Sequence, residues 1–171
     1  MKFLVISDVH GRYERIGRLL SMHRDIDALM FLGDGLVDLE RAGVYEMGVS
    51  VFSVKGNCDW NSFLRSECID EELVLNFEGY RFLLMHGHTR GVKHGMTNAI
   101  YAAIEREADI LLFGHTHEAI EKYLPAQSEY SLEKPLRIFN PGSLGASGDG
   151  WGYFGLIEIR GKDILMSHGK I

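Results

Sequence analysis

Lys2-Phe3-Leu4-Val5-Ile6-Ser7-Asp8-Val9-His10-Gly11 is a short apolar run that stops at an acid, an imidazole and a glycine. Consecutive Phe, Leu, Val and Ile without polar alternation read as a strand buried on both faces. The pattern recurs four more times. Residues 28–32 run into Gly33-Asp34, and residues 49–54 run into Gly56-Asn57-Cys58-Asp59. Residues 81–85 run into His86-Gly87-His88, and residues 109–113 into Gly114-His115-Thr116-His117. Each predicted strand, with residues 2–7 as the first, delivers an oxygen or imidazole donor, usually beside a glycine.

Helical spacing fills the gaps. Ile16, Leu19 and Leu20 predict a helix over 12–23, and Ile100, Ala103, Ile104 and Ala108 predict one over 97–108. A less periodic helix is expected over 36–46. Residues 73–77 and 80–85 read as a hairpin around Glu78-Gly79. Residues 136–139, 153–159 and 163–167 read as strands, the last two joined by a turn at Gly161-Lys162. Strand–helix alternation followed by hairpins gives an α/β protein with mixed sheets and helices outside. The stretch 124–135 is polar and is expected to be a solvated loop.

The 171 residues suit one domain, taken as 1–171. A net charge of −6 leaves no electrostatic footprint for sequence-independent nucleic-acid or anionic-membrane binding. The first apolar run is too short for a signal-peptide core of about 7–15 residues, and no run approaches the ~20 apolar residues of a membrane span. Cys58 and Cys68 are therefore expected to be reduced thiols in the cytoplasm.

The donors define the chemistry. Sites in α/β sheets form beyond the carboxyl ends of strands. Glycines there allow tight turns and close approach of an ion or substrate. The pairs Asp8/His10 and His115/His117, placed where a strand gives way to a loop, can aim two donors at one point. A lone Asp-x-His is usually a capped turn, and a lone Asn57 a turn residue. Donors at five successive strand ends are not explained by turn chemistry. Carboxylate, amide oxygen and imidazole together suit Mn, Fe, Zn or Ni better than a thiolate-selective metal. His23, His94 and His168 fall outside the set and read as surface or packing residues.

From Asp8-Val9-His10-Gly11 to Asn140-Pro141-Gly142-Ser143, the ordered motifs resemble the calcineurin-like metallophosphoesterase superfamily. Within it they are similar to the small bacterial and archaeal phosphodiesterase branch that includes the Vps29-type retromer subunit. The resemblance implies a four-layer α/β/β/α sandwich with two mixed β-sheets. It implies two divalent ions, Mn first among the candidates. One would be held by Asp8, His10, Asp34 and His117, the other by Asp34, Asn57, His86 and His115, with Asp34 bridging. It implies a phosphodiesterase in which a metal-bridging hydroxide attacks phosphorus. Asn57, Cys58, Asp59 and His88 are the expected catalytic residues, with His88 either substrate-facing or a satisfied loop histidine.

The expected partner is a small phosphoester or nucleotide-like substrate, and self-association is left open. A phosphomonoesterase and a Vps29-like non-catalytic scaffold are the alternatives. Two departures bear on substrate. Relatives with strong monoesterase activity resemble one another in carrying His where this chain has Cys58. Many relatives also have Pro-Arg soon after the Asn-Pro-Gly-Ser loop, where this chain has Leu144-Gly145-Ala146-Ser147-Gly148-Asp149-Gly150.

Overall fold

Phe3, Leu4, Val5 and Ile6 are wholly buried, as a run without polar alternation requires. They belong to β1 (Lys2–Ile6) in a computed structural model that describes residues 1–59, 69–127, 130, 132–145 and 148–171. β1 pairs in parallel with β2 (Ala28–Phe31), which pairs in parallel with β3 (Ser50–Ser53). The other edge of β1 meets β9 (Tyr153–Arg160) antiparallel, and β9 meets β10 (Asp163–Lys170) antiparallel. The first sheet thus runs β10-β9-β1-β2-β3.

The second sheet contains β4 (Glu72–Phe77), β5 (Tyr80–Met85), β6 (Ile110–Phe113), β7 (Ala119–Leu124) and β8 (Leu136–Pro141). Its order is β4-β5-β6-β8-β7, parallel in the middle and antiparallel at both edges. Three helices cover the sheets: α1 (Tyr13–Met22), α2 (Leu36–Arg41) and α3 (Thr97–Glu105).

Three apolar cores separate four layers. Phe3, Val5, Met30, Phe82, Leu84, Leu112 and Phe139 pack between the sheets. Ile16 and Leu19 of α1 and Leu36 and Leu39 of α2 pack on Leu4, Ile6, Leu29 and Phe31. Ala99, Ile100 and Ala103 of α3 pack on Leu83, Met85, Leu111 and Phe113. This is the expected α/β/β/α arrangement with two mixed five-stranded sheets. Among the described residues no helix is long and apolar enough to cross a membrane.

The structure corrects the expectations in two places. The helix expected over 36–46 stops at Arg41. Gly43 takes φ +66°, in the left-handed region, and only a 3-10 turn, Val44–Glu46, follows. The stretch 124–135 is not a plain solvated loop. Its first residue ends β7, Tyr130 and Leu132 pack into the core under α3, and Gln127 N–H closes on the Leu132 carbonyl at 2.8 Å. Cys68, Ser128, Glu129, Ser131, Ala146 and Ser147 lie outside the described residues.

Phe82 stands in the inter-sheet core with no exposed surface, its ring 5.7 Å from that of Phe3 and 5.9 Å from that of Phe77. Phe82→Ala is expected to cost about 3–5 kcal/mol, read as a lowered urea midpoint with little change of slope.

Candidate metal centre

The donors arrive where the strands of both sheets end. Asp8 and His10 follow β1, Asp34 follows β2, Asn57 follows β3, His86 follows β5, and His115 and His117 follow β6. The backbone bends sharply to deliver them. Asp8, His10, Asp34, His115 and His117 take φ of 54°, 47°, 61°, 67° and 62°. Left-handed backbone is uncommon for non-glycine residues and collects at functional sites. Two glycines make room. A Cβ on Gly56 would land on Asp34 Oδ1, and one on Gly114 would land on Ser7 Oγ.

One group of donors is Asp8, His10 and His117. Asp8 is wholly buried. Its Oδ2 accepts from the Ser7 hydroxyl at 2.6 Å and from the His115 N–H at 3.0 Å. Its Oδ1 has no hydrogen-bond partner among the described residues and lies 3.2 Å from His117 Nε2. His10 Nε2 stands 3.2 Å from His117 Nε2 and 3.8 Å from Asp8 Oδ1. The Asn140-Pro141-Gly142-Ser143 loop braces this group. Ser143 Oγ donates to the Asp8 carbonyl at 2.8 Å, and the Asn140 amide donates to the Gly114 carbonyl at 3.0 Å.

The second group is Asp34, His86 and His115, with Asn57 beside them. His86 Nε2 is 3.4 Å from Asp34 Oδ2, 3.1 Å from Asn57 Oδ1 and 3.1 Å from His115 Nδ1. His86 Nδ1 lies 2.7 Å from the Leu32 carbonyl, which can only accept, so the proton sits on Nδ1 and Nε2 faces the other donors. The Asn57 amide nitrogen donates to Cys58 Sγ at 3.3 Å, which turns its oxygen toward His86. Asp34 also groups with His10 and Cys58, so it reaches both sets. The Cys58 thiol, one of the expected catalytic residues, thus stands at the edge of the donors.

Electrostatics follow from this crowding. Burial opposes the Asp34 charge, but its hydrogen bond and ion pair with His86 and the Cys58 N–H hold it far below the usual carboxylate range. Burial likewise opposes protonation of His86, and Asp34 and Asp8 overcome it, raising the imidazole. Burial, the His86 charge and Lys93 push His115 down to about 4. Lys93, on the exposed 3-10 turn Val92–His94, is a neighbouring cation that no motif announced. Partial burial and the carboxylates of Asp34, Asp59 and Asp8 push the Cys58 thiol up to about 11.

Two expected catalytic residues sit apart from the donors. The His88 ring lies 5.4 Å from that of His86, with a buried Nδ1 that has no partner among the described residues. Burial and the His86 charge lower its pKa. Asp59 is buried, and its carboxylate accepts four backbone N–H groups.

A wholly buried carboxylate oxygen with no hydrogen-bond partner among the described residues, beside imidazole nitrogens, fits a cation. The oxygen and nitrogen donors match first-row divalent ions. Residues 1–162 match the family model of the calcineurin-like phosphoesterase superfamily domain, and the chain belongs to that family. It is 30% identical over 145 residues to the probable metallophosphoesterase YsnB of Bacillus subtilis, covering 84% of this chain and 75% of that protein. The structure resembles that of an archaeal phosphodiesterase with a TM-score of 0.72 at 20% identity, covering 98% of this chain and 99% of the other. It also resembles Vps29 of Entamoeba histolytica complexed with zinc, with a TM-score of 0.71 at 20% identity, covering 100% and 98%. The chain is thus a metal-dependent phosphoesterase by family.

The raised His86 imidazole and lowered Asp34 carboxylate carry a pH signature in the metal-free protein. The Asp34 share of stability is lost as pH falls through its folded value. The His86 share is present in acid and is lost as pH rises through its raised folded value. In chelator, Tm should therefore fall as pH climbs past the imidazole range. His86→Ala should flatten that limb in melts from roughly pH 5 to 9.

Proposed function

We propose that the chain is a phosphodiesterase acting on small or nucleotide-like diesters at a dinuclear site. Asp8, His10, Asp34 and His117 would hold one ion, and Asp34, Asn57, His86 and His115 the other. The observation that carries the reading is Asp8 Oδ1, which has no hydrogen-bond partner among the described residues and lies 3.2 Å from His117 Nε2 in a fully buried carboxylate. When bound, the ions supply Lewis acidity toward phosphoryl oxygens and a water acidic enough to serve as nucleophile near neutral pH.

The protein's own groups set the rest. Ser7 and the His115 N–H occupy Asp8 Oδ2 and leave Oδ1 for the cation. The Leu32 carbonyl fixes the His86 tautomer. Neutral Asn57 would leave the second position less charge-compensated, so an ion there would be the weaker-bound of the two. Cys58 favours diesters. With its pKa pushed up to about 11 it stays a neutral thiol, a weak donor with no positive charge. A monoester dianion therefore lacks the compensation that an imidazolium would give. Manganese is the proposed ion, and the mixed oxygen and imidazole donors also suit Fe, Zn or Ni. The free Cys58 thiol fits a reducing cytoplasm. The range 1–171 is read as one catalytic unit. The Vps29 likeness is one of fold, and the full donor set weighs against a purely scaffolding role.

Metal-stripped protein should be inactive on bis(p-nitrophenyl) phosphate and p-nitrophenyl phosphate, and Mn should restore diesterase activity above monoesterase activity. Full activity in rigorously metal-free protein would end the dinuclear reading. Asp34→Asn should lower occupancy at both positions, and His86→Ala at one.

Cys58→His should raise the ratio of monoester to diester kcat/KM by about tenfold or more, since a positioned general acid contributes roughly 10²–10⁴ in rate. An unchanged ratio would reject this account of selectivity and leave the metal assignment standing.

A further inference from the structure

We propose that Asp59 is a positioning residue that sets Asp34 and Asn57 relative to each other, and so builds the Asn57 side of the metal centre. This rests on the dinuclear reading above. Its side chain is 3% exposed and takes backbone N–H groups on both oxygens. Oδ1 accepts from Gly35 at 2.8 Å and Leu36 at 2.9 Å, and Oδ2 from Asp34 at 2.8 Å and Gly56 at 2.8 Å. A carboxylate has about four lone-pair sites, and these four donors engage both oxygens. The oxygens therefore serve the backbone.

The donors come from two loops. Asp34, Gly35 and Leu36 follow β2, and Gly56 precedes Asn57 after β3. Three successive N–H groups turned toward one anion form a nest. They demand unusual backbone, and Asp34 and Gly35 take φ of 61° and 142°. The loops are also tied in the reverse sense, since the Cys58 N–H donates to Asp34 Oδ1 at 2.7 Å. With Oδ1 engaged there, Asp34 Oδ2 is the oxygen 3.4 Å from His86 Nε2. Asn57 Oδ1 reaches the same nitrogen at 3.1 Å. Asp59 thus fixes the separation of the two oxygen donors that face His86. Asp34 is also proposed for the first position, but the other three residues there, Asp8, His10 and His117, are carried by other loops.

The test is Asp59→Asn. The amide is isosteric, but it keeps one acceptor oxygen and turns an NH₂ toward two N–H donors. Calorimetric titration with Mn(II) and Mn(II) EPR on the full chain should give two ions and an exchange-coupled signal in the wild type. In Asp59→Asn one ion should bind within about threefold of wild type and the other about 10–100-fold more weakly. The coupled signal should give way to that of an isolated Mn(II) at one equivalent. In the metal-free variant, amide exchange at Gly35, Leu36 and Gly56 should quicken relative to the wild type while exchange in β1 and β6 stays the same.

Two ions bound with wild-type affinities and coupling, or unchanged exchange at those amides, would overturn the proposal. So would equal loss of both ions with unaltered amides. A wild type that binds a single Mn would instead reject the dinuclear reading, and amide exchange alone would then judge the clamp. If Asp59→Asn does not fold, Asp59→Glu keeps the charge on a longer arm and is read by the same measurements.

Discussion

A fully buried carboxylate oxygen with no hydrogen-bond donor among the described residues is the constraint around which this molecule is arranged. Asp8 sits at the end of a strand whose four preceding apolar residues have no exposed surface. An ionised carboxylate in such a place is costly unless something compensates it. Ser7 and the His115 N–H satisfy one oxygen and leave the other facing imidazoles. The sandwich makes this location available because β1 is central in its sheet and its carboxyl end abuts the loop after β6. The Ser143 hydroxyl then holds the Asp8 carbonyl. Burial, donor supply and an incomplete coordination shell are thus parts of one arrangement.

Much of this was legible in the sequence because strand ends are punctuated chemically. A run such as Ile110–Phe113 followed by Gly114-His115-Thr116-His117 states both the strand and its donors. The left-handed backbone of Asp8, His10, Asp34, His115 and His117 was not legible, because only glycine advertises that conformation in one-letter code. β7 was missed for a different reason. It is an edge strand, Ala-Ile-Glu-Lys-Tyr-Leu, with mostly exposed side chains, so no hydrophobic alternation marks it.

The roles within the Gly56-Asn57-Cys58-Asp59 motif show where composition stops informing. Two polar residues of that motif, separated by one position, serve different partners. Asn57 is exposed and offers its oxygen to the site, and Asp59 is buried and serves the backbone. A residue type that can be a ligand, an acid or an anchor is assigned only by which N–H groups surround it. Three of the N–H groups on Asp59 belong to a loop 23 to 25 residues earlier in the chain. Lys93 was hidden similarly, since its proximity to His115 follows from tertiary packing of a turn that carries no motif.

Rigidity and chemistry converge in that motif. Left-handed backbone at Asp34 persists only if neighbouring bonds over-determine it. The Asp59 nest and the Cys58 N–H supply those bonds from the same three-residue stretch that presents Asn57. The thiol between them is surrounded by carboxylates, which favour its neutral form. A neutral side chain at this position leaves the positive field of the site to whatever the donors hold and to Lys93 on its exposed turn. On the proposed diesterase reading, a substrate bearing a single negative charge is better matched to that field than one bearing two. The motif would then join two functions in adjacent residues: Asp59 setting where the donors stand, and Cys58 setting how much anionic charge they are left to face.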